Sequence, residues 1–172
     1  ELGAYGSYGV LRQGASILQV IDSQTPERRI NLACATRSLI AGVTDFTAQR
    51  AALMRFADPW SSANVLWSQP TFTATRSGVG IGRVAASDRL TAFVWAVPGE
   101  RAVYTGGPRG ENLRMEVQTN QMLLGRDIEN FQADGAHLVI EASGDIFLYT
   151  RSLDGTGVLQ NLTPLSSAAY DP

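Results

Sequence analysis

The chain has 172 residues and a formal net charge of −2, with one cysteine and one histidine, and all 14 of its basic residues are arginine. Without lysine there is no P-loop lysine, Schiff base, pyridoxal anchor or isopeptide cross-link. A single Cys and a single His exclude an internal disulfide, a thiolate zinc site and any multi-histidine metal centre, and the small net charge excludes a global basic field for nucleic acid or anionic lipid.

In chain order, Glu1 to Gly9, "ELGAYGSYG", is rich in Gly and Tyr, has no helical period, and is expected to form an extended arm over residues 1–9. Ser16 to Asp22 predicts a strand. Thr25-Pro26-Glu27 then has the form of a helix start, with Thr as N-cap, Pro at the first position and an acid in the first turn. Leu32, Ala35, Leu39 and Val43 follow at helical spacing, with Gly42 placed to terminate; Arg28 and Arg29 oppose the dipole there. Asp45 is placed to cap a second helix, "FTAQRAALMRFA", which Asp58-Pro59 would end. The expectation is therefore one or two short helices within residues 25–57. A competing reading pairs "SLIAGV" with "ALMRF" as strands around a Thr44-Asp45 turn.

From Val65 onward the pattern is β. "TFTATR" suits an edge strand. "GVGIGRVAA", Gly78 to Ala86, matches a loose GxGxxA from Gly80. The strand before it is polar and Ser87-Asp88 breaks any helix after it, so a glycine-softened turn or bulge is expected rather than a dinucleotide loop. "LTAFVWAV" is the longest apolar run and has a strand's length, far short of the ~20 residues of a membrane helix. In "NLRMEVQ", Leu113, Met115 and Val117 alternate with Arg114, Glu116 and Gln118, which predicts a half-buried strand with the apolar set inward.

The segment "DGAHLVIEASGDIFLYTRSLDGTG", Asp134 to Gly157, is bounded by turn dipeptides at Asp134-Gly135, Ser143-Gly144 and Asp154-Gly155. Glycine accepts the positive φ that tight hairpins need, so a three-stranded meander over His137–Ala142, Asp145–Arg151 and Val158–Thr163 is predicted. Leu138 and Ile140 share a face opposite His137, Val139 and Glu141. In the next strand Ile146 and Leu148 oppose Phe147 and Tyr149, and apolar groups on both faces predict cover on both. Phe131, Asp134-Gly135, "HLVIEASGDIFLY", "SLDG" and "NLTP" together resemble one blade of a TolB-type (PD40-type) β-propeller over about residues 131–164. "SDRLTAFVWAVPGERAVYTGG" is a blurred second copy, with Ser87-Asp88 in place of Asp-Gly. The resemblance implies a propeller of ~40-residue blades. The residues themselves favour consecutive hairpins in an antiparallel sandwich or barrel, with the propeller-like arrangement second. "PLSSAAYDP", residues 164–172, lacks an apolar face and is expected to lie along a surface as a tail.

The fold expected is thus a single, mainly β domain over residues 1–172. Candidate chemistry is sparse. Asp127, Glu129 and Asp134 around Asn130 offer oxygen ligands in a presumed loop, but with no EF-hand spacing. His137 has no acid and nucleophile gathered near it, and there is no GxSxG elbow. Cys34, among Leu32, Ala33 and Ala35, reads as a buried inert thiol. Trp95, between Phe93 and Val97, reads as core; Tyr104 is one further aromatic available for a sugar-binding or protein surface. Tyr5, Tyr8, Trp60, Trp67 and Tyr170 are the candidate interface residues.

The expectation is a non-enzymatic assembly protein, needing no cofactor and no metal, with other protein subunits as partners and no nucleic acid. It would serve in a coat, a filament or an extrinsic subunit of a membrane complex. A TolB-like or glycan-binding module and a carboxylate-only hydrolase such as a glycosidase are the alternatives. The chain opens on Glu rather than Met, which implies processing or trimming; a removed secretion signal would suit the β-rich, lysine-free, nearly cysteine-free composition, and the expectation is an exported protein, periplasmic, extracellular or on a particle surface.

Overall fold

The computed structural model describes residues 8–13, 16–22, 28–35, 38–57, 63–71, 80–97 and 100–163. They form a hairpin and three four-stranded antiparallel sheets, each a meander in which every strand pairs with its sequence neighbour. The hairpin joins β1 (Tyr8–Gln13) to β2 (Ser16–Asp22), the strand expected there. The first sheet holds β3 (Arg28–Ala35), β4 (Ser38–Asp45), β5 (Arg50–Ala57) and β6 (Ala63–Pro70). The second holds β7 (Gly80–Ala86), β8 (Thr91–Val97), β9 (Glu100–Gly106) and the short β10 (Arg114–Met115), followed by the helix α1 (Val117–Met122). The third holds β11 (Ile128–Asp134), β12 (His137–Ala142), β13 (Asp145–Arg151) and β14 (Gly157–Asn161).

The sheets stack face to face in chain order. Strand β7 packs on β3 and β4 to one side and on β11 to the other. One core cluster joins Ile40 and Leu53 of the first sheet to Ile81 and Phe93 of the second. Another joins Val94 and Val103 of the second to Phe131, Leu138, Ile140 and Phe147 of the third. Three meander blades, each packed by its leading strand against the next, make a β-propeller-like arrangement with no closed barrel.

Among the described residues within 25–57 the expected helices are absent. Residues 23–27 lie outside the described set, and Leu32, Leu39 and Val43 belong to strands. The competing strand pair is the one that forms, with Leu39 opposite Phe56 and Asp45 opposite Arg50. Helical spacing misled because this sheet is covered on both faces, so β4 carries Leu39, Ala41 and Val43 on one side and Ile40 on the other. A strand buried on both faces loses its two-residue period. Gly42 terminates nothing. A Cβ there would sit 2.8 Å from Val84 Cγ2, so glycine is needed for the second sheet to approach. The turn is closed by Asp45, whose Oδ1 accepts the Ala48 N–H at 2.8 Å.

The "NLRMEVQ" strand is also shorter and turned over. Only Arg114 and Met115 extend, and Met115 and Val117 are exposed while Glu116 is buried. Alternation reveals that a strand has two faces, not which one is inward. A buried carboxylate with partners inverts the reading. "GVGIGRVAA" does contain a bulge, between Ile81 and Arg83.

The meander of the third sheet forms as expected, with one addition. Strand β11, beginning before Phe131, completes a four-stranded blade. Ser143 and Gly144 both take positive φ, as a type I′ hairpin requires, and Gly135 alone does so in the turn before it. Asp154 Oδ1 accepts from both the N–H and the hydroxyl of Thr156, closing the third turn. In the second sheet Ser87 does the corresponding work with its hydroxyl, which accepts the Leu90 and Arg89 N–H groups at 3.0 and 3.2 Å. The same hydroxyl donates to the Gly135 carbonyl at 2.5 Å, tying the equivalent turns of adjacent sheets together.

Candidate interaction site

Five aromatic residues are expected at an interface, and the described residues include two of them, Tyr8 and Trp67. Tyr5, Trp60 and Tyr170 lie outside the described residues, and Tyr8 opens β1 opposite Asp22. Trp67 is not an exposed anchor. Its ring packs 4.8 Å from Phe93, 5.0 Å from Trp95 and 5.7 Å from Tyr104, centroid to centroid, at the join between the first two sheets. Phe93 and Tyr104 stack at 4.9 Å, which makes Trp95 and Tyr104 core-packing residues as well. Trp67 pairs with the buried Leu53 and packs on the same core.

The remaining polar candidates have ordinary partners. His137 is exposed, with Nδ1 3.0 Å from Thr150 Oγ1. Asp127 pairs with Arg101 at 2.5 Å, while Glu129 and Asp134 lie along β11. Among the described residues no group of three or more His, Cys, Asp or Glu side chains gathers as metal ligands. Cys34 is exposed rather than buried, because it falls on the same side of β3 as the exposed Leu32 while Ala33 and Ala35 face the core.

Two polar sites went unnoticed in the sequence. The first lies between the second and third sheets. Thr105 Oγ1 donates to Glu116 Oε1 at 2.6 Å and lies 3.0 Å from the Tyr149 hydroxyl. Burial, with Glu116 adding its charge, pushes the Tyr149 phenol up to about 12. Arg114 Nε stands 3.5 Å from the same carboxylate, and its Nη2 donates to the Gly155 carbonyl at 2.6 Å. Tyr149 is wholly buried, and a Cβ on Gly157 of the neighbouring strand would overlap its ring and hydroxyl. The second is within the third sheet, where Arg126 Nη1 pairs with the buried Asp145 at 2.7 Å and lies over the Phe147 ring. At both sites an acid is engaged by an arginine, and at the first the Tyr149 phenol joins them through Thr105.

The feature that faces outward is the far side of the third sheet. Of the alternating residues in β12 and β13, Leu138, Ile140, Phe147 and Tyr149 point to the second sheet and are buried. The opposite side presents Val139, 42 % exposed, Ile146, 39 %, and the half-buried Leu148; Val158 and Leu162 extend it at 66 % and 49 %. The expectation that this strand is covered on both faces is therefore wrong. Ladder pairing sets Val139 beside Leu148, Leu148 beside Gln160, Glu141 beside Ile146 and Thr150 beside Val158, so the outer face mixes apolar groups with His137, Glu141, Thr150 and Gln160.

No family model matches the chain, and neither does any curated protein compared with it. Among solved structures, a chain in the crystal structure of a nidogen/laminin complex is similar, with a TM-score of 0.51 and 12 % sequence identity. The likeness covers 92 % of this chain and 60 % of that one, so the present chain spans less than two thirds of its neighbour's length. That neighbour contains a β-propeller, and at this identity the likeness is one of fold. It agrees with the propeller-like stack and carries no TolB-type family assignment. No helix among the described residues is long and apolar enough to cross a membrane.

Proposed function

We propose that the protein is a non-enzymatic subunit of a larger assembly, acting through protein–protein contacts. The carrying observation is the set of apolar side chains turned outward on the third sheet, Val139, Ile146, Leu148, Val158 and Leu162. Within the chain, the corresponding face of the second sheet is covered by another antiparallel sheet. The occupant proposed is accordingly a β-sheet of a neighbouring subunit, which would continue the stack already established. The similar chain is part of a protein–protein complex, and that likeness of scaffold adds support. The partner is a protein, and the setting proposed is outside the cytoplasm, in a coat, a filament or an extrinsic subunit of a membrane complex.

A TolB-like binding module would use the same face and differ only in engaging its partner transiently. Sedimentation of the native particle tests the proposal. It is expected to exceed the mass of one chain, and replacement of Val139 and Val158 by Arg should reduce it to the single chain with its thermal midpoint kept. Native material that sediments as a lone chain would overturn the assembly reading.

A further inference from the structure

Two clefts open where the first sheet meets the second. At one, lined by Arg29, Arg83 and Arg101, the carboxylate of Asp127 is paired with Arg101, and Arg29 is engaged as well. The other, of about 340 Å³, is lined by Ala35, Ser38 and Arg55 of the first sheet and by Asp88, Pro108 and Arg109 from two turns of the second. We propose that this second cleft binds an acidic sugar, a uronate, whose carboxylate Arg55 and Arg109 hold while Asp88 and Ser38 take its hydroxyls. Nothing in this depends on the assembly reading.

Arg55 points inward. Ile40 and Leu53 belong to the core between the two sheets, and the ladder sets Arg55 directly opposite Ile40, two residues along from Leu53. Paired residues of antiparallel strands share a face, as do residues two apart on one strand, so the Arg55 side chain enters the space between the sheets. It is half-buried, its Nε is buried with no hydrogen-bond partner, and it forms no ion pair among the described residues. A charge directed inward in that state is costly until an anion meets it. Arg109, exposed on the other wall, also has no side-chain partner among the described residues. Guanidiniums stay charged and match a carboxylate with two parallel donors.

The rest of the lining selects a sugar acid over a simple anion or a neutral sugar. Asp88 is exposed and, among the described residues, is within ion-pair distance of neither arginine, so acceptor and donors stay apart. A simple anion would pair with the arginines and leave Asp88 unmatched; a neutral sugar would leave Arg55 unmatched. A uronate carries a carboxylate at one end of its ring and hydroxyls around the remainder. Ser38 is buried, and its hydroxyl, with no partner among the described residues, can donate or accept. Ala35 and Pro108 add apolar surface for the C–H groups of the ring, and the volume suits a small ligand. Both turns are held in place. Ser87 Oγ accepts the Arg89 and Leu90 N–H groups around Asp88, and Glu111 Oε2 accepts the Arg109 N–H at 2.8 Å while the Glu111 carbonyl accepts that of Gly107 at 2.8 Å.

NMR titration of the full chain with glucuronate, acetate and glucose at matched ionic strength tests this, read at the backbone amides of Ser38, Asp88 and Arg109. Glucuronate is expected to move all three and to bind at least about ten-fold more tightly than acetate or glucose, since it alone makes both kinds of contact. Arg55→Met should weaken glucuronate about ten-fold while the ligand-free thermal midpoint is kept or raised, because an unpaired inward charge gives way to an apolar group. Arg109→Gln, at an exposed position, should weaken it by a similar factor with the midpoint unchanged, and Asp88→Asn should reduce the preference for glucuronate over acetate. No shift with glucuronate, equal affinity for acetate or glucose, or unaltered binding in either arginine variant would each overturn the proposal. A lowered midpoint in Arg55→Met would do the same, by showing that the guanidinium is already satisfied within the fold. So would displacement of glucuronate by inorganic phosphate at equal concentration, which would mark a simple anion site.

Discussion

The second and third sheets are the same meander in different surroundings. In β8, Ala92, Phe93 and Val94 are buried in succession, because the first sheet lies on one side and the third on the other. In β12 burial alternates, Leu138 and Ile140 hidden, His137 and Val139 open. Hydrogen-bonded pairing is alike in the two, so the neighbours, not the local pairing, decide whether a strand has one apolar face or two. The same side chain is a structural element in the middle of the stack and a contact surface at its end.

That contrast is broken most severely by opening the middle. Phe93→Ala should cost about 3–5 kcal/mol, since the cavity is walled by Trp67 and Tyr104 and cannot collapse freely. Chemical denaturation would measure it, and a loss under about 1 kcal/mol would mean the first two sheets are not packed as described.

Next is the seam between the two sheets. Gly157→Ala should cost roughly 2–3 kcal/mol, because the added methyl collides with Tyr149 rather than with a mobile tip. A thermal midpoint equal to that of the parent protein would remove Tyr149 from the seam.

The same phenol gives a pH signature of similar or slightly smaller size. Its folded pKa is raised from 10.0 to about 12, so the protonated form is favoured on folding. The stability this supplies is complete below pH 10 and is lost as pH rises toward 12, in total roughly 2–3 kcal/mol. Tyr149→Phe should flatten that alkaline loss; denaturation curves between those pH values that fall equally in both proteins would assign it elsewhere.

The smallest effect sharpens the comparison from the open side. Ile146→Ala and Leu148→Ala should each cost under about 1.5 kcal/mol in the isolated chain, against about 2–5 for Leu138→Ala one strand away on the buried face. Costs of equal size on the two faces would show that the outer face is covered.

How much of this was legible depended on where the information sits. The turns of the third sheet were readable because Gly135, Gly144 and Gly155 each take a positive φ that other residues resist. The Ser87-Asp88 variant was recognised as a blurred turn, but nothing local revealed that the Ser87 hydroxyl also reaches Gly135. The first sheet was misread as helical for the reason that hides any doubly covered strand, and Gly42 was misread with it. Its role depends on Ile81 and Val84, distant in the chain. The cleft that Arg29, Arg83 and Arg101 line was equally invisible, because these residues are 54 and 18 positions apart and meet only when the first two sheets stack. Trp67 shows the same dependence, since its packing on Phe93, Trp95 and Tyr104 is set by residues distant in the chain.

Because each strand in the three sheets is hydrogen-bonded only to those next to it in the chain, ring closure on folding spans few residues. Short loops carry a small closure entropy and local contacts form quickly, so each sheet is able to zip hairpin by hairpin before it meets the next. Opening should follow the same grain, with amide protons of β14, at one edge of the third sheet, exchanging long before those of β8, which is flanked by β7 and β9 and covered above and below.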